Sequence, residues 1–138
     1  AVPAIADAGG GSIINVSSID GLRAGNTHNI PYAVAKGGLV TLTKLMAVHH
    51  GREGIRVNCI APGHLHASFA AHLVSEEKRE LRRKAGPLGT EGDAWDVAWA
   101  AVFLSSDEAR WISGVVLPVD AGLLAATPLA VWDNLNEE

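Results

Sequence analysis

Three short apolar runs, Ser12–Val16, Ile55–Ala61 and Val115–Val119, are separated by longer stretches in which apolar residues recur every third or fourth position. The short runs predict strands and the helical spacing predicts helices. Ser12–Val16 is short, apolar and β-branched, which fits a strand buried on both faces of a parallel sheet. Between the first two, Val34, Leu39, Leu42, Leu45, Met46 and Val48 predict one long helix from Tyr32 to about Gly51. Asn29 suits its N-cap and Pro31 its first turn. Gly37 and Gly38 inside that helix each cost about 1 kcal/mol against alanine. Close packing against another backbone is the expected compensation. Gly51 and Gly54 end the helix.

The region between the second and third strands is more broken. Residues 62–74 read as irregular. Ser75-Glu76-Glu77-Lys78 opens a short helix to Lys84, with acidic residues at the positive end of the helix dipole. Gly86-Pro87-Leu88-Gly89 interrupts the pattern. Thr90 is expected to cap the next helix through Asp93, with Trp95, Val97, Ala98, Ala101, Val102 and Leu104 on its apolar face. Trp95 and Trp99 read as core or subunit contacts. Ala1–Ala8 reads as the tail of a helix, residues 19–29 and 105–112 as loops, and 123–138 as a tail. Strands alternating with helices predict an α/β fold.

A chain of 138 residues fits one domain. Fifteen acidic against eleven basic residues leave a net charge of −4. No basic stripe is present, which argues against a nucleic-acid surface. No apolar run reaches membrane-spanning length. The single cysteine, Cys59, has no partner for an internal disulfide and sits in a strand, so it reads as a small buried hydrophobe. That is consistent with a reducing compartment, and a cytoplasmic location is expected.

The candidate chemistry begins with Tyr32 and Lys36. Four residues apart, they share one face of the predicted helix. A positive charge held beside a phenol favours the phenolate, which suits proton transfer to or from a carbonyl or alcohol oxygen. Tyr32 is the only tyrosine in the chain. The first strand ends in two hydroxyls, Ser17 and Ser18. One could steady charge on a substrate oxygen; either could simply cap the strand end. Pro62 and Gly63 follow the second strand, at the carboxyl edge where open α/β sheets bind ligands. His64 and His66 would face the same side of an extended segment. No carboxylate or cysteine nearby completes a ligand set, so no metal site is expected.

Taken together, these segments resemble the short-chain dehydrogenase/reductase family. That family carries a Tyr-x-x-x-Lys helix preceded by a strand ending in Asn-x-Ser-Ser, here Asn15-Val16-Ser17-Ser18. Arg56-Val57-Asn58 leading to Pro62-Gly63, and Ser113-Gly114 leading to Asp120-Ala121-Gly122, match its next strand and its closing strand. The four segments lie in the family's order from residue 9 to residue 122. The resemblance implies a Rossmann-like doubly wound parallel sheet. It also implies an oxidoreductase that interconverts an alcohol and a ketone or aldehyde with NAD or NADP. Ser18, Tyr32 and Lys36 would be catalytic. Tyr32, Lys36, Pro62, Gly63 and Leu65 would meet the cofactor. Ala67 stands where the family usually has a threonine.

The family's Gly-x-Gly-x-x-Gly phosphate cradle does not occur in these residues. The 138 residues therefore read as the C-terminal part of a single domain. Residues 64–85 would form the substrate loop, with Leu65, Phe69, Leu73 and Val74 hinting at an apolar substrate. The first strand is expected to leave a sheet edge open for an upstream chain or another copy to cover. The resemblance implies a dimer or a homotetramer. The alternative reading is a non-catalytic assembly or regulatory fragment that keeps the family's core.

Overall fold

The computed structural model describes residues 1–25, 29–66 and 74–136. Its elements run α1 (Val2–Asp7), β1 (Gly11–Val16), α2 (Ile30–His50), β2 (Ile55–Pro62), α3 (Glu76–Ala85), α4 (Ala94–Ser105), β3 (Val116–Val119) and α5 (Trp132–Asn136), with short 3-10 turns between. The three strands form one parallel sheet in the order β1-β2-β3. The expected α/β architecture is therefore present, with each strand within about a residue of its predicted bounds.

The central strand explains the apolar runs. Ile55, Val57, Cys59, Ile60 and Ala61 of β2 are all buried. Both faces of this strand are covered, and its two polar residues, Arg56 and Asn58, are each satisfied by hydrogen bonds. Burying each large aliphatic side chain contributes about 1.5–3 kcal/mol. Cys59 is a free buried thiol, as its setting predicted. Asn58 is the fully buried polar residue of β2. It donates from Nδ2 to the Ile112 carbonyl (2.9 Å) and accepts the Val115 N–H at Oδ1 (3.1 Å). The amide thereby fixes the approach to β3.

Side chains of a strand alternate between faces. Ser12 donates to the Leu104 carbonyl at the end of α4 (3.1 Å), whereas Asn15 donates to Thr43 Oγ1 of α2 (2.9 Å). Positions of opposite parity on β1 thus meet different helices, and α2 and α4 cover opposite faces of the sheet. Arg56 of β2 donates to the Leu104 carbonyl (2.7 Å) and the Ser106 carbonyl (3.1 Å). Its cation meets the negative end of the α4 dipole and satisfies carbonyls the helix leaves open.

Three expectations need correction. Asp93, rather than Thr90, is the N-cap of α4; it forms a capping box with Asp96. An aspartate beside Gly92 reaches the helix N–H groups directly, so Thr90 is not needed. Trp95 and Trp99 are 69% and 66% exposed, and Val102 is exposed too, so the predicted apolar face of α4 is buried chiefly at Leu104. On α2, Val34, Leu42, Leu45 and Val48 are also exposed, and Thr43 is its fully buried residue. Both helices carry more apolar residues than one sheet face covers. Finally, Gly37 approaches the Gly21 carbonyl as anticipated, but a side chain at Gly38 would meet nothing within 4 Å. Within the segment read as a tail, Pro128–Val131 form a 3-10 turn that leads into α5.

Candidate active site

The carboxyl end of β1 and the first turns of α2 meet at Ser17–Gly21. The Ser17 hydroxyl donates to the Lys36 carbonyl (2.7 Å) and is almost fully buried. Gly21 lies so close to the helix that an added Cβ would sit 2.7 Å from the Lys36 carbonyl carbon and 2.9 Å from the Gly37 nitrogen. Only glycine allows the turn this approach. The sequence Ser17-Ser18-Ile19-Asp20-Gly21 is thus what draws helix and strand end together.

Lys36 Nζ donates to the Val16 carbonyl (2.8 Å) and stands 5.6 Å from the centroid of the Tyr32 ring. The bond fixes the ammonium at the strand end and leaves two of its three donors for other partners. Asn29 caps α2 by accepting the Tyr32 N–H (3.3 Å), and Pro31 occupies the first turn. The cap sets the start of the helix, and the start sets where Tyr32 falls. Tyr32 is 40% exposed, so its ring is open to solvent or a ligand. Ser18 is 8% exposed and accepts the Asp20 N–H at Oγ (3.1 Å). A hydroxyl can accept one bond and donate another. No acceptor holds the Ser18 proton among the described residues, so the capping role and a donor role coexist.

The second strand end is built differently. Gly63 donates its N–H to the Val119 carbonyl (2.9 Å), and a Cβ there would lie 2.7 Å from Asp120 Cα. Asp120 is committed to structure: its carboxylate accepts the N–H groups of Gly122 (3.0 Å) and Leu124 (2.8 Å). Leu65 donates its N–H to the Gly63 carbonyl (3.1 Å) and bridges Gly92, where His66 donates to the Gly92 carbonyl (2.9 Å). A cofactor contact through the Leu65 N–H would require that small turn to open. Ala67, Phe69 and Leu73, and with them much of the expected substrate loop, lie outside the described residues.

Two clefts flank this edge. One, of about 360 Å³, is lined by Ile19 and Asp20, the residues directly after Ser18, and by His64, Arg82 and Leu81 among others. The other, of about 270 Å³, lies between His64, Arg82, Glu91 and Asp120. His64 faces both, and burial together with the nearby Arg82 cation holds its imidazole below the ordinary value of 6.5. Glu91, which lines the second cleft, accepts from Arg79 of α3, from Nε (2.9 Å) at one carboxylate oxygen and from the second terminal nitrogen at the other. This fork ties α3 to the segment before α4 and holds the Glu91 carboxyl below its usual range. The pairing was not legible in the sequence, because its partners lie twelve positions apart on either side of the Gly86-Pro87-Leu88-Gly89 break. No group of three or more metal-ligating side chains occurs among the described residues. No helix among them is long and apolar enough to cross a membrane.

The structure brings Tyr32 and Lys36 together and bonds the Lys36 ammonium to the end of the strand that leads to Ser17 and Ser18. It sets Pro62-Gly63 on the neighbouring strand end. The family model described as enoyl-(acyl carrier protein) reductase matches residues 1–124. The chain belongs to the short-chain dehydrogenase/reductase family. It is 46% identical over 114 residues to 3-oxoacyl-[acyl-carrier-protein] reductase of Rattus norvegicus, covering 83% of this chain and 45% of that protein. It is 35% identical over 127 residues to 7alpha-hydroxysteroid dehydrogenase of Bacteroides fragilis, covering 92% of this chain and 49% of that one. Among solved structures, gluconate 5-dehydrogenase of Burkholderia cenocepacia, in complex with NADP and tartrate, superposes with a TM-score of 0.82. That match is 32% identical and covers 91% of this chain and 49% of the other. The chain thus spans about half the length of the short-chain dehydrogenases/reductases it matches. The fold expectation, a Rossmann-like parallel sheet, holds.

Proposed function

We propose that the protein containing this chain is an NAD- or NADP-linked oxidoreductase that interconverts an alcohol and a ketone or aldehyde, with Tyr32 as general acid/base. The observation that carries this reading is the Lys36 ammonium, bonded to the end of β1 and held over one side of the Tyr32 ring. A nicotinamide cofactor, when bound, supplies or accepts the hydride.

The residues here fit the nicotinamide end of such a group. Lys36 keeps two donors for ribose hydroxyls, and Pro62, Gly63 and Leu65 form the wall at the neighbouring strand end. Tyr32 gives a proton to the substrate oxygen in reduction and takes one in oxidation. Lys36 offsets negative charge on the phenolic oxygen. Ser18 donates its free proton to the same substrate oxygen, a contact that strengthens as charge develops there. The comparisons favour this chemistry because the named relatives are reductases and dehydrogenases, and the gluconate 5-dehydrogenase is in complex with NADP. They differ in substrate, from an acyl carrier conjugate to a steroid to a sugar acid, so they do not choose one for this chain. We further propose a homo-oligomer in the cytoplasm, consistent with the apolar residues exposed on α2 and α4.

The test is nicotinamide absorbance during incubation with simple ketones and secondary alcohols, paired with fluorescence titration of NADH and NADPH. Turnover with either cofactor supports the reading. A folded protein that binds neither and turns over nothing rejects it.

A further inference from the structure

The cleft that begins one residue beyond Ser18 has an unusual charge. Arg23 enters it from the Ser18 side, Lys78 and Arg82 from α3, and His64 from the end of β2. Against three cations stands one carboxylate, Asp20, for a local balance of +2 with His64 neutral, in a chain whose total is −4. The sorting along α3 is telling. Arg79 is bound to Glu76 and Glu91, and Arg83 to Glu76 and Glu80. Lys78 and Arg82, one turn apart on the cleft side, take part in none of the salt bridges among the described residues. The same helix therefore neutralises Arg79 and Arg83 and presents Lys78 and Arg82 to the cleft. The charges converge closely enough for Arg82, Arg23 and Lys78 all to act on the His64 ring. Ile19, Leu81, Ala85 and Leu123 line the cleft as well, giving it apolar walls between cationic groups.

We propose that this cleft receives the carboxylate of the substrate, so that the compound reduced or oxidised at Tyr32 is a keto or hydroxy acid with a short apolar spacer. Arg82 and Lys78 bind the carboxylate, Arg23 closes over it from the opposite side, and the carbon skeleton lies along Ile19 and Leu81 toward Ser18. This substrate class rests on the oxidoreductase reading above, but the cleft can be tested without turnover.

The experiment is calorimetric titration of hexanoate and hexanamide into the full protein. Hexanoate should bind at least about tenfold more tightly than the amide, because charge-assisted bonds to a carboxylate have no equal in the neutral analogue. The Lys78→Gln/Arg82→Gln variant should weaken hexanoate binding about 10- to 100-fold and leave hexanamide unchanged. Arg83→Gln, on the neutralised face, should leave hexanoate binding intact, and the Tm of each variant reports whether it folds. Equal binding of acid and amide, or no loss in the double variant, overturns the inference. Inorganic phosphate binding more tightly than hexanoate also overturns it. A protein that binds hexanoate through these cations yet turns over no carbonyl with NADH or NADPH upholds the cleft and rejects the oxidoreductase reading. Equal turnover of a keto acid and its amide does the reverse.

Discussion

The strand-end junction and the α3 wall stand side by side and are held by opposite means. At the junction, Ser17, Gly21 and Lys36 are joined by buried backbone approach and by hydrogen bonds to carbonyls, without a single salt bridge among the described residues. On α3, the contacts are salt bridges of Arg79 and Arg83 with Glu76, Glu80 and Glu91, most of them open to solvent. Backbone packing tolerates little displacement, since interiors are close-packed. Exposed ion pairs are weak and screened, so they can be rearranged at small cost. The difference suits a division of labour. On the proposed reading, proton transfer needs a fixed phenol and ammonium, whereas the α3 ion pairs occupy Arg79 and Arg83 and leave Lys78 and Arg82 to the cleft.

The contrast can be sharpened by substitution. The largest stability loss is expected on the rigid side, at Asn58. Replacing it with alanine leaves the Ile112 carbonyl and the Val115 N–H buried without their partner, costing about 3 kcal/mol by chemical denaturation. Gly21→Ala forces a methyl group into the α2 backbone and should cost about 2 kcal/mol, with a fall in turnover as the helix shifts. On the α3 side, Glu80→Gln, which removes an exposed pair with Arg83, should move Tm by no more than about 2 °C, and less still in high salt. A Glu80 variant as damaging as Asn58→Ala would break the distinction.

The smallest expected effect is one of pH. Burial and Arg82 keep His64 below 6.5 in the fold, so the unfolded chain takes up a proton that the folded chain refuses. The stability from neutral His64 is complete above 6.5 and is lost as pH falls from there toward its lowered folded value. Tm measured against pH should therefore decline less steeply below 6.5 in His64→Gln than in the parent.

The same contrast explains what could be read from the sequence. The strands were legible because β2 is buried on both faces, and Tyr32 and Lys36 because helical periodicity fixes which residues share a face. Ser17 and Ser18 were marked by their place at a strand end and the resemblance singled out Ser18, whereas the Ser17 bond to the Lys36 carbonyl emerged only in the structure. The helix faces misled, since Trp95, Val34 and Leu45 are apolar without being buried in this chain. Periodicity identifies an apolar face but does not say what covers it. The Arg79–Glu91 fork and the cationic cleft were hidden for another reason. They join segments separated by breaks, and no local pattern records which of several arginines on one helix finds a glutamate.

The central claim is that Tyr32 acts as the proton donor and acceptor beside Lys36. Turnover of Tyr32→Phe with a substrate accepted by the parent protein tests it most directly, with cofactor affinity measured alongside. The account predicts a loss of at least about 100-fold in kcat with cofactor binding little changed. A phenylalanine variant that retains the parent's kcat would contradict it.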